Sequence, residues 1–171
     1  MVNKQKYLIV RKYLWLVPLI VGFLIALFSP LDVLKYSFSS LIVAMMSSIV
    51  PMINRISGQY ELAQVAQLYF SVMWLLAPLT YLSVIHPINK NKLSSISEQN
   101  RFFLVFSCLV IIPVSILVVF IFGPNPADYD SKLSVVLHTR LGMATYGFAL
   151  PHGAAALLRF SIACVQHIFK G

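Results

Sequence analysis

The run Phe102-Phe-Leu-Val-Phe-Ser-Cys-Leu-Val-Ile-Ile-Pro-Val-Ser-Ile-Leu-Val-Val-Phe-Ile-Phe122 contains no charged side chain. An α-helix needs about 20 apolar residues to cross the hydrocarbon core of a bilayer, and residues 102–122 meet that length. The rest of the chain agrees: apolar residues make up 59% of the 171, and charged residues only 11%. A soluble domain would need roughly a quarter to a third of its surface charged, so the chain reads as an integral membrane protein. Working outward, three further apolar stretches are long enough to span, at about 8–28, 62–85 and 141–160. The expected fold is all-α, one membrane domain over 1–171, with four transmembrane helices packed as a bundle. Each helix carries one proline, Pro18, Pro78, Pro113 and Pro151, so kinked spans are expected.

Basic residues orient the spans, because short cytoplasmic loops are rich in Lys and Arg. The N-terminal arm, the loop after the second span and the C-terminal end hold nine, among them Arg11, Lys12, Lys90, Lys92, Arg101 and Arg159 as inner-interface anchors. The other two loops hold Lys35, Arg55, Lys132 and Arg140, offset by Asp32, Glu61, Asp128 and Asp130. Both termini are therefore expected in the cytoplasm. The net charge of +8 is explained by this topology and by anionic lipid headgroups; no nucleic-acid partner is implied. The basic start has no small-residue cleavage site after it, so the first span is expected to be retained.

Between the first and second spans, residues 41–53 form an apolar run of 13, too short to cross, with the length of an interfacial or re-entrant segment. The second outer loop, Gly123 to Lys132, is turn chemistry throughout; Asp128 and Asp130 lack the other spacings of a calcium loop. Cys108 and Cys164 both fall within apolar segments and read as reduced thiols.

Polar groups inside the spans are the candidates for function. His152 lies roughly 17 Å along the fourth helix from its outer end, near the middle of a ~30 Å core. Three roles suit it: a neutral ring bonded to Tyr69, Tyr81 or Thr80; a contact with a partner protein; or a haem or metal ligand. Bis-histidine haem ligation needs a second histidine at the same depth, whereas His86 and His167 sit at the inner boundary and His138 in an outer loop. No cofactor and no metal are expected. Gly147 and Gly153 let backbones approach closely. Gln64 and Gln67 share a face at the outer end of the second span, where amides can bridge helices. These five residues, His152, Gly147, Gly153, Gln64 and Gln67, are the candidate helix–helix or partner contacts. The carboxylates lie outside the spans, and no catalytic motif is present, so no enzyme is expected.

A four-span chain with cytoplasmic ends, a long apolar first outer loop, and a short basic inner loop from His86-Pro-Ile-Asn-Lys-Asn-Lys92 onward resembles the larger group of immunity proteins for pore-forming colicins. The likeness includes a local pattern around Ile49-Val-Pro-Met-Ile-Asn-Arg55 to Ala77-Pro78. That group has no compact motif, and no functional residue is carried over. The resemblance implies an inner-membrane protein that binds a toxin's hydrophobic helical hairpin before its pore opens. The competing readings are a small accessory subunit of a secretion, conjugation or respiratory complex, and a small transporter or channel.

Overall fold

A computed structural model describes residues 13–58, 60–83, 98–123 and 134–170, with the backbone alone at 98–101, 134–135 and 167–170. All elements among the described residues are helical. Helix α1, Leu16–Phe28, stops at Ser29, which precedes Pro30 and is extended (φ −66°, ψ 137°), the conformation that a following proline imposes. After a 3-10 turn at Val33–Lys35 come α2, Ser37–Ile49, and α3, Pro51–Ile56. They are split at Val50, again extended before a proline, and Pro51 opens α3. Helix α4 is Ala63–Ser83. Helix α5 runs through Glu98–Phe106, a π-helical turn at Ser107–Ile111, and Ile112–Ile121. A short α6, Ser134–His138, leads into α7: Arg140–Gly142, a second π turn at Met143–Gly147, and Ala149–Lys170.

Three of these helices are long and apolar enough to cross a membrane: Ala63–Ser83, Phe102–Ile121 and Arg140–Gln166. The described part of α1 has 13 residues, about 20 Å at 1.5 Å per residue; the remainder of the expected 8–28 span lies outside the described residues. So do the anchors Arg11, Lys12, Lys90 and Lys92, along with His86, Asp128 and Asp130, while Arg101 and His167 are described by their backbone only.

Helix α4 is the axis of the molecule, packed by α1, α2, α3 and α7. Half of its apolar window is buried, against 6% for α5, which leans on α7 and α3. Helix α1 reaches α4 through a stripe of small or compact residues, Pro18, Gly22 and Ala26, all buried, while Ile20, Phe23 and Leu24 point away. A Cβ at Gly22 would lie 2.9 Å from Met73 Sδ, so Met73 would have to shift to admit an alanine there.

The prolines are accommodated in two ways. In α5 and α7 the π turn sits just upstream of Pro113 and Pro151, respectively. Such a turn takes up one residue beyond the α repeat and relieves the collision of a proline ring with the carbonyl four residues earlier. In α4, Pro78 lies within a continuous α-helix.

The 41–53 run does not form one segment: it is divided between α2 and α3 by the Val50–Pro51 break. Val43, Met46, Val50, Met52 and Ile53 join the core. The opposite side of α2 is also apolar, with Phe38, Leu41, Met45 and Ile49 between 45% and 75% exposed. Its serines turn inward on the helix itself, Ser40, Ser47 and Ser48 donating to carbonyls three residues back. Self-satisfied hydroxyls and two apolar faces suit a helix immersed in an apolar environment.

Candidate functional site

The seam between α4 and α7 is built on one aromatic residue. Tyr69 is fully buried, and a Cβ added at Gly147 would lie 2.8 Å from its ring, closer than real Cβ atoms pack. On its other side the ring lies 3.3 Å from where a Gly22 Cβ would sit. Gly22 and Gly147 together therefore form the slot that holds Tyr69 between three helices, as expected of small residues in lipid-embedded interfaces. Gly153 has a different setting: a Cβ there meets nothing within 4 Å.

His152 is 1% exposed. Its ring stacks on Phe148, one turn earlier on the same helix, with centroids 4.2 Å apart. Its Nδ1 shares a 2.7 Å hydrogen bond with Thr80 Oγ1 of α4. Of the three partners considered from the sequence, Thr80 makes this bond, whereas Tyr81 lies beneath the Arg159 guanidinium, 5.3 Å from its ring centroid. The second nitrogen, Nε2, is buried and has no hydrogen-bond partner among the described residues, and the same holds for the Tyr69 hydroxyl. The α4–α7 seam thus carries two buried polar atoms with unused hydrogen-bonding capacity. Gln64 has an internal job: its Oε1 accepts the Leu34 N–H at 3.2 Å, tying the 3-10 turn to the start of α4. Gln67 is half-buried, and its carbonyl accepts the Ser71 hydroxyl. The five candidates do not converge on one site: Gly147 and His152 share the seam, the glutamines serve the first turn of α4, and Gly153 stands apart.

Two contacts escaped the sequence reading. Arg140, read as an outer-loop charge, donates through Nη1 to the carbonyls of Ala26 (3.0 Å) and Leu27 (3.2 Å). It caps the C-terminus of α1, where unpaired carbonyls carry partial negative charge. The signal was the absence of a basic residue in the last turn of α1 itself, which leaves those carbonyls to a distant donor. The second contact is Ser161 of α7, whose hydroxyl donates to the Cys108 carbonyl. In the π turn of α5, Ile112 N–H pairs with Ser107 O, so the next donor in that register is residue 113, a proline with no N–H. Ser161 supplies the missing proton from the neighbouring helix.

Around α3, Trp74 Nε1 donates to Met52 Sδ at 3.1 Å and meets Phe120 edge-on at 5.3 Å, while the Arg55 guanidinium lies over Phe122 at 4.6 Å. These contacts fix the C-terminal half of α5 to the bundle. Cys108 and Cys164 are free and buried. Among the described residues no three His, Cys, Asp or Glu side chains gather as metal ligands. Comparison of the chain with protein families, with characterised proteins and with solved structures found no match.

Proposed function

We propose that this chain is a non-enzymatic protein of the bacterial inner membrane, with four spans and both termini cytoplasmic, that binds another membrane protein through helix–helix contacts and thereby gives immunity to a pore-forming bacteriocin. The observation that carries the binding role is the outward stripe of α2. Phe38, Leu41, Met45 and Ile49 follow one another at spacings of three, four and four residues, the pattern of anchors on a single helical face. Helix α2 has 13 residues and is too short to span, so crossing the membrane does not account for this second apolar face. Its inner face is already used against α4. A hydrophobic helical hairpin arriving from the outer side would meet this stripe first. The choice of a toxin as the partner rests on the resemblance in length, loop sizes and hydropathy described above.

The test has two stages. The tagged protein is first recovered from its native membrane in mild detergent, and everything retained is identified by mass spectrometry. Recovery alone or with a single pore-forming protein supports the proposal; recovery with many subunits at fixed ratio assigns the chain to a larger assembly and overturns it. Cells expressing the chain are then challenged with a panel of pore-forming bacteriocins. Survival against one of them, lost in the Leu41→Asp/Met45→Asp variant at equal membrane abundance, is the expected result. Sensitivity equal to that of cells lacking the chain, across the panel, sinks the immunity role.

A further inference from the structure

An apolar cavity of about 400 Å³ opens between α4, α5 and α7, lined by Trp74, Ala77 and Tyr81 of α4, Ile116 of α5, and Ala155 and Leu158 of α7. Its walls are apolar and its floor is made of small side chains. Trp74 and Tyr81 are seven residues apart on one helix, so the cavity runs about 10 Å along α4. At the Tyr81 end stands Arg159, the neighbour of Leu158, with its guanidinium on the Tyr81 ring. Among the described residues the one ion pair is Lys35–Asp32, so Arg159 pairs with no carboxylate among them. An apolar channel thus ends at an uncompensated, positionally restrained cation.

We propose that this cleft is a binding site for one anionic phospholipid, an acyl chain lying between α4, α5 and α7 and its phosphate held by Arg159. A single methylene chain fits a cleft of about 400 Å³. Charge argues for the anionic headgroup: a guanidinium presents its N–H fork to phosphate oxygens in the plane of the group, and stacking on Tyr81 leaves that edge available. Apolar contact alone confers no preference, because lipid tails are as apolar as the cavity walls. Selectivity must therefore come from Arg159. The inference is independent of the immunity role and needs only that the bundle sits in lipid.

Trp74 makes the site readable, since the chain has two tryptophans and Trp15→Phe leaves Trp74 as the sole reporter. The protein is reconstituted in phosphatidylcholine vesicles with increasing fractions of phosphatidylglycerol or phosphatidylcholine brominated on the acyl chain, and Trp74 fluorescence is followed. Brominated phosphatidylglycerol should reach half-maximal quenching at a mole fraction on the order of fivefold lower than brominated phosphatidylcholine, the factor for about one Arg–headgroup interaction. Arg159→Gln should erase that difference while leaving quenching by both lipids, and Arg159→Lys should retain part of it. Ala155→Leu, which fills the cleft, should weaken quenching by both. Equal half-quenching by the two lipids, or a preference that survives Arg159→Gln, overturns the proposal. So does a Trp74 that neither lipid quenches, which would mean that a protein segment fills the cleft.

Discussion

Helices α4 and α5 are both long and apolar enough to span a membrane, yet they occupy opposite situations. The run 102–121 is free of charge and almost free of polar groups, and it lies at the edge with 6% of its apolar window buried. The run 63–83 contains Gln64, Gln67, Ser71, Thr80 and Ser83, and it lies at the centre with half buried. In water the order would be reversed, because burial is driven by apolar area. In lipid, apolar area carries no such instruction, and helices are drawn together by close packing at small residues and by hydrogen bonds. The more hydrophobic helix is therefore the one left facing the acyl chains.

The contrast can be broken most forcefully at the Tyr69 slot. Gly147→Leu places a side chain where the Tyr69 ring lies and should destabilise the bundle by up to about 3 kcal/mol, the range for overpacking a filled core. Gly153→Ala, on the same helix with open space around it, should stay within about 0.5 kcal/mol. Detergent unfolding curves of the two variants decide this, and equal losses would show that the seam is not where the molecule is tight.

Next in size is the cap. Arg140→Gln removes a charged donor from the Ala26 and Leu27 carbonyls and should cost about 2 kcal/mol, read as a lowered thermal midpoint, with α1 exchanging its amides first. If α1 stays as protected as α4, the contact holds nothing in place.

Thr80→Val should cost about 1 kcal/mol by removing the hydrogen bond to His152 Nδ1. His152 is buried in the α4–α7 seam, so His152→Ala should leave membrane insertion and partner binding at the α2 stripe intact; a toxin challenge in which the variant loses protection at equal membrane abundance would move the contact to the seam. Ser161→Ala sharpens the account of the π turn: loss of the proton donated to the Cys108 carbonyl should cost about 0.6 kcal/mol, the average for interhelical bonds in membranes. The smallest effect belongs to α5. Val118 is 49% exposed, and Val118→Ala should change stability by less than about 0.5 kcal/mol; a large loss there would mean that α5 is packed on a side the bundle leaves open.

Much of the local architecture was legible in the amino-acid order. The 102–122 run announced a spanning helix by length and hydropathy alone, and the helix breaks at Ser29–Pro30 and Val50–Pro51 follow from steric exclusion of α conformation before proline. Hydropathy, which is apolar on both sides of Pro51, does not show the division of 41–53 into two helices; only the backbone chemistry of the proline does. His152 stood out because a polar ring amid apolar residues is conspicuous, and three partners on the second span could be named for it. Which one it met was beyond reach, since that depends on the rotation of α4 about its axis.

What the sequence by itself determined is the solvent: 59% apolar residues and a handful of charges suit the chain to lipid, and three of its four long apolar runs are membrane-length helices among the described residues. The three-dimensional arrangement decided which helix became the axis, that Gly147 and not Gly153 admits an aromatic ring, and that Arg140 closes a helix more than a hundred residues away. The physical reason is common to all three. Hydropathy reports transfer from water to lipid, a step already complete for every span, whereas helix order within the bilayer is set by shape and by single hydrogen bonds, whose partners are chosen only when the helices meet.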